Sequence, residues 1–194
     1  MISRFKLAAA VLSSVAAISM ATDAVAAPLK VDPAKSTVNA VFKQLNVPVE
    51  AKFKKFTAQI DFDSAKPDSA KASIDIDIAS FDLGEAEYNA EVQKKDWFNA
   101  AQFPKASFVS STIKASPGAP AGSKYDVTGK LTIKGKSVDV HFPLSVKKEG
   151  NAQVFDGVVP IKRLAFNVGE GEWKDTGMVA DEVVIKVHVV TTPS

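Results

Sequence analysis

His141 and His188 are the two histidines of the chain. Imidazole is the usual general base and the commonest nitrogen ligand for a metal ion, so catalysis would be sought there first. Each sits between apolar neighbours, Val140 and Phe142 in one case, Val187 and Val189 in the other. In an extended strand that alternation turns the imidazole to the outer face, away from any core. Clustered carboxylates come next. Asp61 with Asp63, and Asp75 with Asp77, share outer faces and could offer oxygen ligands to calcium, but solvated strand faces explain them better. There are 0 cysteines, which excludes thiolate metal sites, a catalytic thiol and disulfides. The serines lie in no nucleophile-elbow context. "VGEGEW", Val168 to Trp173, has glycines but no strand-to-helix setting for a phosphate. The expectation is a chain with no catalytic residue, no metal and no cofactor.

Arg163 stands apart. It continues the alternation of Val159 and Ile161 and so takes an inward position. It either snorkels into water past its strand or stands at a cavity rim, donating to a polar ligand head. Its loop, "RLAFNVGEGEW", is placed to fold over an opening.

The elements that position these residues are mostly strands. In "ASIDIDIAS" Ala72, Ile74, Ile76 and Ile78 alternate with Ser73, Asp75 and Asp77, the period of two of a half-buried strand. Phe56, Ala58, Ile60 and Phe62 repeat the pattern. So do Tyr125 through Ile133, Val138 through Val146, and Val183 through Val189. Weaker matches at Val38–Phe42, around Phe108, and from Phe155 to Ile161 bring the count to about eight. Turn signals at Gly135 and Gly150 join neighbouring strands, and "SPGAPAGS" is a surface turn. "GEAEYNAEVQKKDWF" carries helical spacing at Tyr88 and Val92 and predicts one short inserted helix. Trp97, Phe98, Phe103 and Phe108 crowd the passage out of it, as a plug in a small core or as the cap of a cavity.

Residues 1–26 read as a secretory signal peptide. Arg4 and Lys6 precede an Ala-rich apolar run too short for a membrane span, and "AVA" ends at Ala26. Residues 27–194 then form a single domain, exported to the periplasm. The formal charge of the whole chain is +2, which gives no reason to expect a nucleic acid or an anionic membrane as partner. Amphipathic antiparallel strands hide their apolar faces either by closing into a barrel or by stacking as a sandwich, and periodicity alone does not choose between them.

Five stretches, taken in order, resemble the YceI-like family of lipid- or polyisoprenoid-binding proteins. They are "VDPAKSTVNAVFK", "FKKFTAQIDFD", "KKDWFNAAQFPKASFVSS", "YDVTGKLTIKGKSVDVHFPL" and "VVPIKRLAFNVGEGEWKDTGMVADEVVIKV". The resemblance implies an all-β, eight-stranded antiparallel lipocalin-like β-barrel with a short helix between strands. It also implies an apolar tunnel for an isoprenoid quinone, a polyprenyl chain or another long lipid. The chain departs from the family where many members carry histidine: Lys35 precedes Ser36, the first strand ends in Gln44, Leu45 and Asn46, and the helix reads "YNAEV".

Inner-face parity within such a barrel supplies the expected ligand contacts. They are Phe42 from the first strand, Phe56, Ala58, Ile60 and Phe62 from the next, then Ile74, Ile76 and Phe108. Leu131, Val140, Phe142, Val159, Ile161 and Ile185 follow from later strands. Phe98 and Phe103 belong to the cap and Arg163 to the rim. Ala40, Ala58, Ala72, Gly129 and Gly157 are expected to leave space. The function this predicts is a periplasmic carrier for an isoprenoid-type lipid, with no enzymatic activity. Two other readings stand beside it. One is a stress-related interaction module whose barrel is filled by its own side chains. The other is a small enzyme acting on an amphiphile, with Arg163, Tyr88 and Tyr125 as its polar groups.

Overall fold

The alternating runs fold as strands, and each strand buries the face that its apolar residues define. The computed structural model describes residues 29–192; the predicted leader and its cut after Ala26 lie outside the described residues. In chain order the strands are β1 (Lys30–Val31), β2 (Thr37–Gln44), β3 (Val47–Phe53), β4 (Phe56–Asp61), β5 (Lys71–Asp77) and β6 (Phe81–Asp82), then helix α1 (Ala86–Val92). After it come β7 (Lys105–Ala115), β8 (Lys124–Ile133), β9 (Lys136–Glu149), β10 (Ala152–Lys162) and β11 (Val179–Thr192). All pair antiparallel in one sheet of order β4-β5-β7-β8-β9-β10-β11-β2-β3-β6. The sheet curls into a lipocalin-like barrel, and the β1 segment ties one margin, β4, to the inner strand β11. Lys30 and Val31 pair with Thr192 and Thr191 of β11, while Leu29 bridges Ile60 of β4.

The strand count exceeds the expected eight: the sheet has 11, two of them only 2 residues long. The largest correction is β3. Val49, Ala51 and Phe53 alternate inward there, but the turn before them, Leu45-Asn46, lacks glycine. Both residues nonetheless take the left-handed conformation, at φ 50° and 65°, as a two-residue hairpin requires. Pro48 lies in this strand, opposite Lys43, and masks it further. The Lys134-Gly135 turn has the same geometry, at φ 50° and 71°, and its glycine gave it away.

Of two inward glycines, one does the opposite of what was expected. Gly129 leaves no void, whereas Gly157 borders the inner chamber beside the Phe142 ring. A Cβ on Gly129 would stand 2.5 Å from the Phe108 ring and 2.5 Å from the Val109 carbonyl oxygen; one on Gly157 would stand 3.3 Å from the Phe142 ring. The two aromatic side chains lie over bare backbone, and their rings are 5.6 Å apart. At the end of the barrel away from α1, Phe62 meets Tyr125 and Phe155 edge-on, at 5.1 and 5.3 Å between centroids.

Candidate functional site

The interior is not filled. Inward residues leave two chambers, which together run along the barrel. The inner one, a narrow space of ≈ 90 Å³, is walled by aliphatic and aromatic side chains and Gly157. The outer one, ≈ 290 Å³, lies beneath α1. Ligand pockets commonly enclose about 300–1,000 Å³, so the outer chamber approaches ligand size and the inner one is a slim extension of it.

The expected contacts divide between them. Ile60, Phe62, Ile74, Ile76, Phe108, Leu131, Phe142 and Val159 line the inner chamber. Phe42, Phe98, Ile161 and Arg163 line the outer, and Ile185 lines both. Phe56, Ala58, Phe103 and Val140 line neither. Val140 is buried opposite Gly129, and Phe103 lies over the Gly135 turn, 2.7 Å from where a Cβ would be. The crowded aromatics therefore split: Trp97 and Phe98 wall the outer chamber, Phe108 the inner, and Phe103 packs on a hairpin.

Arg163 is the clearest correction. It is not a rim cation with free donors but is buried, 4 % exposed. Nε donates to Ala180 O at 3.1 Å, Nη1 to Val168 O and Gly169 O at 2.9 and 3.1 Å, and Nη2 to Trp173 O and Val179 O at 2.6 and 2.7 Å. A guanidinium has five N–H donors, and all are used within the protein. Burial pushes its pKa below the ordinary arginine value, and the nearby Asp181 carboxylate opposes that shift. Carbonyl dipoles solvate the charge in place of water, and the Trp97 ring stands 5.8 Å from it. Gly169 fits against it with φ +83°; a Cβ there would lie 2.1 Å from Nη1.

The consequence is a folded wall. Arg163 ties the loop carrying Phe166, Val168 and Trp173 to the irregular start of β11, where the β2 ladder shifts register between Val179 and Val183. All three loop residues line the outer chamber. From outside, Lys134 donates to Asn167 O at 2.7 Å and to Glu170 Oε2 at 2.9 Å, and that ion pair holds the Glu170 carboxyl below its ordinary range. Periodicity has no purchase on a loop, so these wall residues were missed. The β3–α1 wall, with Val49, Phe53, Phe81 and Val92, was missed with β3.

Apart from the buried Arg163, the charged and amide groups in the outer wall stand at its mouth. Gln44, Glu85 and Tyr88 are exposed there, and Glu91 pairs with Lys94. The helix is anchored beside them by Asp82, whose carboxylate accepts from Lys54 Nζ at 2.6 Å and from Asn89 Nδ2 at 2.7 Å. Lys54 first, then Asn89 and the Gly84 N–H, hold the Asp82 pKa at about 2, against 3.8 ordinarily. A depressed carboxyl contributes stability that is fully present above its unfolded pKa and fades as pH falls through the folded one. The anchor should therefore be intact above about pH 4 and be lost as acid approaches the folded value of about 2. Carbon-detected NMR titration of Asp82 reads this directly; a midpoint near that of a free carboxyl would refute it.

The remaining chemistry-bearing residues do not converge. His188 Nδ1 lies 2.6 Å from Asp156 Oδ1 on the outer face, and both are partly exposed. Asp63 and Asp77 accept from the backbone N–H of Ala65 and Ala79, capping turns. The Tyr125 hydroxyl is buried without a partner and lines neither chamber. Among the described residues no three His, Cys, Asp or Glu side chains gather as a metal site, and no helix is long and apolar enough to cross a membrane.

Comparison with known proteins adds to this geometry. A YceI-like domain profile matches residues 29–191. A UPF0312 protein of Photorhabdus laumondii is 36% identical over 98 residues, 50% of this chain and 48% of that protein. One from Azotobacter vinelandii is 27% identical over 143 residues, 71% and 70% of the two chains. The match to the first spans about half that relative's length. Among solved structures, Burkholderia cenocepacia BcnA superposes with TM-score 0.80 at 59% identity, over 84% of this chain and 100% of that one. A polyisoprenoid binding domain from Saccharophagus degradans, implicated in plant cell wall breakdown, superposes with TM-score 0.68 at 16% identity, over 87% and 99%. The latter likeness is one of fold.

Proposed function

The chain belongs to the YceI-like domain family, and from that premise we propose that it is a periplasmic carrier which holds one long isoprenoid-type amphiphile inside its barrel. One observation carries the reading: the inner chamber has a wall without a charged or hydrogen-bonding side chain. Such a space suits hydrocarbon. Each CH₂ moved there from water gains about 0.8 kcal/mol, and ordering the flexible tail offsets part of it. The outer chamber, apolar inside and polar at Gln44, Glu85 and Tyr88, suits the proximal chain and head. A polyisoprenoid-binding relative of the same fold supports this choice of cargo. Export is read from residues 1–26, and N-terminal sequencing of the periplasmic protein, starting at Ala27, checks it.

Nothing in the site favours an enzyme: Arg163 is saturated, Tyr88 is exposed at the mouth, and Tyr125 lies off the cavity. The filled-barrel reading conflicts with the two chambers. Native mass spectrometry of freshly purified protein tests the carrier, which should bring a lipid adduct with it. Ala72 lines the inner chamber, so Ala72→Phe should fold, lose the adduct and melt within a few degrees of the parent. A variant that unfolds outright would mean that the chamber has no room, because inserting bulk into a full core costs about 1–3 kcal/mol.

A further inference from the structure

The border between the two chambers is sharp. On β2 it falls between Val38 and Ala40, on β8 between Leu131 and Ile133, and on β10 between Val159 and Ile161; in each pair the first residue faces the inner chamber and the second the outer. These are successive inward residues on their strands, so the border is a single ring around the lumen. On β11 Val187 faces inward of it and Val183 outward, and the residue between them, Ile185, lines both chambers. Ile185 also sits in the ring by register, opposite Val159 on one side and Ala40 on the other. It is the residue a ligand must pass.

We infer that Ile185 is the chain-length determinant of the cavity: an amphiphile long enough to pass it fills both chambers as one molecule, whereas short ones stay in the outer chamber. The inference rests on the carrier reading and adds to it a rule for which chains are retained. Tail segments that end before the ring gain nothing from the inner chamber. A β-branched side chain on a paired strand has few rotamers, so Ile185 sets a fixed aperture, flanked by the small Ala40. Widening or blocking that aperture should change selectivity by length and leave the mouth untouched.

The test compares solanesol, a long prenyl alcohol, with farnesol, a short one, on the delipidated full-length mature protein. Affinity is read by competition against a fluorescent fatty probe, and stoichiometry by native mass spectrometry. The parent should prefer solanesol, and each alcohol should bind one to one. Ile185→Trp should lower solanesol affinity at least tenfold and change farnesol affinity less than threefold, with one farnesol still bound. Ile185→Ala, which only removes atoms, should keep the solanesol preference and guards against a Trp variant that fails to fold. An Ile185→Trp protein that is folded and keeps the parent's solanesol-to-farnesol ratio would overturn the inference. Binding of neither alcohol by the parent would instead overturn the carrier reading beneath it.

Discussion

Arg163→Met should lower the free energy of unfolding by about 3–5 kcal/mol, the range found when one partner of a buried charged network is removed. Methionine fills a similar length and keeps the contact with Trp97, but it donates to none of the five carbonyls that the guanidinium now satisfies. Those of Val168, Gly169 and Val179 belong to the buried side of the loop and the start of β11, and each unsatisfied buried acceptor costs about 1–3 kcal/mol. The sum is capped because a loop can open toward water. Arg163→Lys should recover less than half of the loss, since one ammonium cannot reach carbonyls spread around a planar fork. Denaturant unfolding monitored by tryptophan fluorescence follows both, with Trp97 and Trp173 reporting on the loop itself. A loss under about 1 kcal/mol would mean that packing of Phe166 and Trp173 holds the loop unaided. A rim cation serving a ligand head would give the reverse pattern: stability kept, affinity lost.

The second large effect is expected at Gly129→Ala. The added methyl would lie 2.5 Å from both the Phe108 ring and the Val109 carbonyl oxygen. The carbonyl is part of the β7–β8 ladder, next to its register shift between Ser110 and Thr112, so it yields only by loosening that ladder. The ring has one free direction, the inner chamber that Phe108 already lines. Overpacking of this kind costs about 1–3 kcal/mol, and the displaced ring should reduce lipid retention as well. Gly157→Ala is the control, because 3.3 Å to the edge of Phe142 needs a shift of only a few tenths of an ångström. If the two alanines cost the same, the close approach at Gly129 is not what sets its price in stability. Adding Phe108→Leu to Gly129→Ala separates ring from backbone: recovery beyond half would assign the strain to the ring.

Sequence showed the strands because alternation is a local signal that burial enforces residue by residue. It placed Ile60, Ile74, Phe142, Val159 and Ile185 on the correct face, since a strand that pairs on both sides cannot slip its parity without exposing every apolar residue it has. It failed where the determinant was not periodic. The hairpin before β3 turns on Leu45 and Asn46, residues that adopt positive φ only because the flanking strands hold them there. Arg163 had the right parity and the wrong role: position along a strand says where a side chain starts, not that five carbonyls from an aperiodic loop will converge on its end. Gly129 had the right face and the opposite consequence, while Gly157 does border the chamber. A missing side chain is space only if no neighbour leans into it, and Phe108 leans fully over Gly129.

The seam made by β1 has a kinetic consequence. It joins the start of the barrel to its last strand, and Val190 N donates to Ser36 Oγ at 3.0 Å across 154 positions of chain. Pairings this distant in sequence cannot form until the intervening chain has been collapsed into place, and their loop-closure entropy is met before they return anything. Every other neighbouring pair from β7 to β11 is a sequential hairpin or meander step that can form locally. Folding should thus run as a zipper along the meander, with the distant β2–β11 and β1–β11 pairings made last and β4 and β6 as the margins. Cutting the seam, by removing residues 29–31, should slow the final phase of refolding far more than it speeds the early ones.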